Sequence, residues 1–157
     1  MINDKKAGGL RRSSLHILSE AEIEHLKNEI KAINADESVF AFNRGFKTGY
    51  SDAFNTIRVK GDVFPDLSSD SAHPRDLMSE RAVLAHEYYG HYKYAPSKFE
   101  QGDWRDEFRA SYMAAKNTPN LPDEDRRYLV LDALERAKEA SAPITHNDFI
   151  RKVLYGY

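Results

Sequence analysis

Apolar positions along the chain change spacing three times, and each spacing predicts a different element. Ile23, Leu26, Ile30 and Ile33 recur at three- and four-residue intervals. Ser19 and Glu22 precede them with capping-box spacing, so an amphipathic helix is predicted from Ser19 to about Asn34. From Ser38 to Asp66 the texture becomes aromatic and β-branched, punctuated by Gly45, Gly49 and Gly61, which predicts two to four short strands joined by turns. The clearest strand runs from Phe54 to Lys60, where Ile57 and Val59 alternate with Thr56 and Arg58. After a polar loop from Pro65 to Ala72, Pro74 can open a helix that runs through Ala82-Val83-Leu84-Ala85 into His86. Four consecutive apolar residues predict burial on every side, so His86 and Glu87 should line a cleft. Tyr92 to Gly102, with Pro96, reads as a reversing loop ahead of a helix from about Trp104 to Asn117. Pro122 fits the first turn of a further helix reaching about Ala140, and a short last helix begins near Asn147. The expected fold is α+β: a small, mostly antiparallel sheet packed on the helix that carries His86, with further helices C-terminal to it.

Composition narrows the chemistry. The 157 residues suffice for one domain, expected over 15–157 behind a flexible lead-in at 1–14 that contains Gly8-Gly9 and two basic pairs. With no cysteine, neither a disulfide scaffold nor a thiolate metal site is available, so any metal ligand must be His, Asp or Glu. A net charge of −2 with 31% charged residues argues against a dedicated nucleic-acid or membrane binder. No apolar run is long enough to span a bilayer, and Met1-Ile2-Asn3-Asp4-Lys5-Lys6 lacks the apolar segment of a signal peptide. Localisation stays open, since a domain of a larger exported protein has the same composition. Oligomeric state stays open too.

The chemistry concentrates in His86-Glu87-Tyr88-Tyr89-Gly90-His91. Two imidazoles beside a carboxylate suit zinc, which accepts neutral ring nitrogens, with Glu87 placed to deprotonate water as a general base. The histidines stand at i and i+5, however. At about 100° per residue an i,i+4 pair lies roughly 40° apart around a helix, whereas an i,i+5 pair lies roughly 140° apart, too far to share one ion. A π-bulge widens one turn by a residue and would return His86 and His91 to one face, and Gly90 eases that distortion.

A third ligand is expected from Asp106-Glu107-Phe108-Arg109-Ala110-Ser111, and Glu107 is the best candidate, 107 − 91 = 16 residues after His91. On its helix Glu107 shares a face with Trp104, Ser111 and Ala114. A carboxylate aimed into such a small, apolar face needs a partner, and a zinc ion is one. A salt bridge to Arg109 or to a distant arginine is the plainer alternative. Asp103 and Asp106 are fallback ligands, or acceptors for a ligand histidine's second ring N–H.

H-E-Y-Y-G-H followed by D-E-F-R-A-S resembles the paired H-E-x-x-G-H and E-E-x-R-A-E motifs of the dipeptidyl peptidase III family, zinc gluzincins with the same one-residue insertion. The resemblance covers roughly Arg81 to Ala115. It implies His86, His91 and Glu107 as zinc ligands, Glu87 as general base and Asp106 as an outer-shell carboxylate. Ser111 stands where the motif ends in glutamate, and the chain is far shorter than the two-lobed peptidase. Glu107 to Ala115 also resembles the E-x-x-A helix of small zincin-like domains, including toxin modules of bacterial polymorphic toxin and phage-associated proteins. The expected function is therefore zinc-dependent hydrolysis of a peptide or protein substrate by a minimal zincin-like domain, in a general peptidase or in a toxin or effector. In zincins an edge strand beside the motif helix binds extended substrate, and the Ser38 to Asp66 region is expected to supply it. The competing reading is a non-catalytic recognition or regulatory module, with structural metal or none.

Other polar residues admit bland readings. Tyr88 and Tyr89 fit core packing; so do Tyr112 and His73, although either could donate to an oxyanion if brought into the cleft. His16, His25 and His146 read as surface or structural, and Lys5-Lys6 and Arg11-Arg12 as solubilising charge.

Overall fold

A computed structural model describes residues 11–68, 73–100, 102–142 and 144–157. Helix α1 spans Glu20–Ala32 and starts as its sequence directs. The Ser19 hydroxyl accepts from the Glu22 N–H while the Glu22 carboxylate accepts from the Ser19 N–H. Each bond removes an orphan donor from the first turn.

Three strands follow, β1 (Phe40–Phe42), β2 (Gly49–Ser51) and β3 (Thr56–Val59), in the order β1-β3-β2. Strand β3 is central because its alternation holds: Ile57 and Val59 are fully buried. It is shorter than the predicted Phe54 to Lys60, since Asn55 takes a left-handed turn conformation at φ 48° and Phe54 is exposed. The sheet is mixed: β2 pairs antiparallel with β3, but β1 pairs parallel with it, Phe40 opposite Ile57. Alternation within a strand does not encode its neighbour's direction, so this was not readable from the pattern.

Pro74 opens a helix as expected, but a short one. Helix α2 (Pro74–Leu77) stops where Met78 and Ser79 are extended, and α3 (Glu80–Ala85) restarts with the Ser79 hydroxyl accepting from Ala82 N–H. An N-cap serine three positions before an amide outcompetes helix continuation here. The break frees carbonyls, and Arg11 takes them up: its guanidinium donates to Arg75 O and Met78 O, and also to Asp62 O and Val63 O beside the sheet. Burial depresses the Arg11 guanidinium to about 10, opposed by Asp62, Asp76 and Glu80. Of the lead-in predicted over 1–14, residues 1–10, including Lys5-Lys6, fall outside the described residues, whereas Arg11 is buried and bridges to Pro65. Arg11 is thus a clamp rather than solubilising charge.

From α3 the chain passes into a π-helical segment, His86–His91, then a 3-10 turn at Tyr92–Tyr94. Helix α4 (Trp104–Asn117) matches its predicted limits, with Asp103 as its cap. Helix α5 (Asp123–Glu139) lies against α4, and α6 (Asp148–Tyr155), capped by Asn147, closes on α5. The architecture is α+β, with the helices after the π segment forming a layer C-terminal to the sheet. No helix among the described residues is long and apolar enough to cross a membrane.

Candidate metal centre

The π segment does what the i,i+5 spacing requires. With one residue added to the turn, the His86 and His91 rings approach to 4.9 Å between centroids, edge to face at 77°. Gly90 permits more than the distortion. A Cβ there would lie 2.4 Å from the Ala110 carbonyl oxygen, so glycine is what lets the π segment press against the backbone of α4. That contact delivers Glu107.

The Glu107 Oε1 atom lies 3.0 Å from His86 Nε2 and 3.4 Å from His91 Nε2. A tetrahedral zinc with ligands at 2.0–2.1 Å separates its donor atoms by about 3.3 Å. Both separations from Glu107 are close to that spacing, and the donor atoms of His91, Asp106 and Glu107 all lie within 4.8 Å of one another. Ligand atoms of His86, Glu87 and His91 lie within 4.8 Å of one another, and all three residues are buried. Histidine nitrogens and carboxylate oxygens are a borderline donor set suited to zinc among several divalent metals.

Charges support the grouping. Burial opposes a charged His91, but the hydrogen bond to Glu107 and the charges of Glu87, Glu107 and Asp106 outweigh it and raise its pKa to about 9. Glu107 feels the same competition; burial raises it, yet its bonds to the two histidines hold its carboxyl far below the usual range. Without metal the site thus carries its own proton, which an incoming cation must displace.

Outside the three candidate ligands the supports come from α4 and α5. Asp106 Oδ2 lies 3.5 Å from His91 Nδ1, and Arg109 flanks its other oxygen at 3.4 Å. Ser111 Oγ is 2.8 Å from His86 Nδ1 and donates to Asp132 Oδ2 at 2.6 Å. Arg136 Nε donates to the same Asp132 oxygen at 2.8 Å, and its Nη1 lies 3.9 Å from Glu107 Oε1. Arg75 Nε lies 3.5 Å from Asp132 Oδ1. Burial raises the Asp132 carboxyl, but Arg136, His86 and the Ser111 bond together bring it below its ordinary value. Ser111, Asp132 and Arg136 were not foreseen in these roles. The one sequence signal was the Asp132/Arg136 pair at i,i+4, on a helix face that also carries Leu129.

The remaining sequence candidates lie elsewhere. Asp103 caps α4 and pairs with Arg105, away from the histidines. Glu107 does not pair with Arg109, which bonds Asp106 instead. The Tyr112 hydroxyl accepts from Asn147, and its ring stacks on Phe108 and meets Phe149 edge-on. His73 caps α2 and meets Glu139 at 3.2 Å. Neither Tyr112 nor His73 lines the cleft over the histidines. Tyr88 packs in the core against Phe40, and Tyr89 donates to Ile33 O. His16 and His25 pair with Glu22 and Glu80, while His146 stacks on Tyr155.

The cleft has a volume of about 580 Å³. His86, Glu87, His91 and Glu107 line it on one side, Gly49 and Tyr50 of β2 on another, and Arg75 and Arg136 border it as well. The Tyr50 ring lies parallel to that of His91, 6.4 Å away. Comparison with protein-family models, with curated proteins and with solved structures returns no match.

Proposed function

We propose that this chain is a zinc-dependent peptidase in which His86, His91 and Glu107 hold the ion and Glu87 is the general base. The observation that carries the reading is the π-helical turn, which converges two histidines at i,i+5 on the Glu107 carboxylate. Such turns recur at functional sites, and a fold gains little from this one unless the convergence is used. When bound, the ion supplies Lewis acidity toward a substrate carbonyl and makes water acidic enough to lose a proton near neutral pH.

The protein's own groups supply the rest. Glu87, buried beside both histidines and lining the cleft, takes the proton from the attacking water and passes it to the leaving amine. Strand β2 lies at an edge of the sheet among the described residues, with Gly49 and Tyr50 bordering the cleft, a position suited to an extended peptide. The cleft volume is in the range of sites that enclose a small ligand or several peptide residues.

Glu87→Gln should abolish peptide turnover while zinc content is retained. Turnover equal to wild type in that variant would remove the base assignment. One observation favours a second reading, a metal-free recognition module: the His91–Glu107 pair neutralises itself without an ion. Metal analysis of protein purified at neutral pH separates the two readings, since the module requires none.

A further inference from the structure

Resting on that reading, we propose that Asp132 is a positioning residue that acts through Ser111 to turn the Nε2 lone pair of His86 toward the metal. Two hydrogen bonds set the direction of this relay. Asp132 is fully buried, with Arg136 bonded to one carboxylate oxygen and Arg75 beside the other, so it stands in its ionised, acceptor-only form. The Ser111 hydroxyl has one proton, and the 2.6 Å contact gives it to Asp132. What Ser111 then offers His86 at 2.8 Å is a lone pair, so His86 Nδ1 must carry the hydrogen. With Nδ1 holding its own hydrogen, Nε2 becomes the ligand atom once an ion displaces the hydrogen that it shares with the Glu107 carboxylate at 3.0 Å.

A serine thus replaces the carboxylate that usually holds a ligand histidine, and the charge is moved one residue back onto the neighbouring helix. Arg136 completes a ring, since it touches both Asp132 and Glu107. The relay therefore fixes His86 and Glu107 relative to one another, while Asp106 serves His91 separately.

Asp132→Leu removes the acceptor at nearly constant volume; an amide would not serve, because Ser111 and Arg136 donate to the same Asp132 oxygen and would keep a carbonyl there. Without that oxygen the Ser111 hydroxyl is free to donate to His86 Nδ1, which leaves the ring hydrogen on Nε2. Zinc affinity, measured by competition with a chromophoric chelator, should fall 10- to 100-fold in Asp132→Leu and in Ser111→Ala. The double variant should be no weaker than Ser111→Ala alone, because Asp132 reaches His86 only through the hydroxyl. In the metal-free protein, the ¹⁵N shift of His86 Nδ1 should read as protonated in wild type and move toward unprotonated in Asp132→Leu. Wild-type zinc affinity in a folded Asp132→Leu protein, or losses that add in the double variant, would overturn the relay. So would an unprotonated Nδ1 in wild type. The nitrogen shift needs no zinc, so a protein that fails to bind the ion defeats the peptidase reading while the relay is still decided.

Discussion

Two interiors coexist in this molecule, and they are held together differently. On α1, β3 and the turn after it the buried residues include Leu26, Ile30, Ile33, Ile57, Val59 and Val63, all fully excluded from solvent. Among the π segment, α4 and α5 the buried set includes His86, Glu87, His91, Asp106, Ser111 and Asp132, beside Ala110, Ala114, Leu129 and Val130. The first interior is stabilised by apolar area removed from water, roughly 25 cal/mol per Å². The second buries charges, and hydrogen bonds and ion pairs within about 3.5 Å hold most of them, although Arg75 Nε, Arg109 Nε and Asp132 Oδ1 are buried without a hydrogen-bond partner. A dry core tolerates a change of shape in proportion to the volume lost. A network of buried charges has no such gradation, since losing one partner strands another.

The largest effect expected from a single methyl group is at the boundary of the polar interior. Gly90→Ala places a Cβ 2.4 Å from the Ala110 carbonyl oxygen, against backbone that cannot step aside. Denaturant unfolding should show a loss of about 3 kcal/mol, with zinc binding impaired in the folded fraction. Ile57→Val, in the dry interior, should cost about 1 kcal/mol and leave zinc affinity as in wild type. Zinc affinity falling in Ile57→Val as it does in Gly90→Ala would mean that the two interiors are not separable.

The smallest effect lies on the surface of α1. The Ser19 N–H, then His16, hold the Glu22 carboxyl down at about 2. A depressed carboxyl stabilises the fold above its unfolded pKa, and the contribution is lost as pH falls through the folded value. Glu22→Gln should therefore be less stable than wild type above about pH 4.5, and the difference should close as pH falls toward 2. Because the side chain is partly solvated, the gap should be under about 1 kcal/mol. A gap that persists at pH 2 would assign the effect to something other than charge.

The same contrast explains what could be read from the sequence. Local devices were legible: the capping box of α1, the limits of α4, and above all the π turn, because two histidines at i,i+5 have no other way to meet. Features decided by distant partners were not. The carbonyls freed at the Met78–Ser79 break are taken up by Arg11, 67 residues from Met78, and the parallel pairing of β1 depends on a chain path that alternation does not specify. The relay from His86 to Asp132 crosses three elements, and Ser111 alone gave no sign of it. Gly90 eases the distortion, and its contact with Ala110 makes it a spacer between two backbones as well.

The central claim is that one cation binds where His86, His91 and Glu107 converge, and calorimetric titration of metal-free protein with zinc at two buffer ionisation enthalpies tests it most directly. One equivalent should bind with proton release, as expected from the raised His91 pKa of about 9. Binding should be lost in His86→Ala, His91→Ala and Glu107→Ala and kept in His25→Ala. No heat of binding in wild type at neutral pH, or binding that survives all three substitutions, would contradict the account.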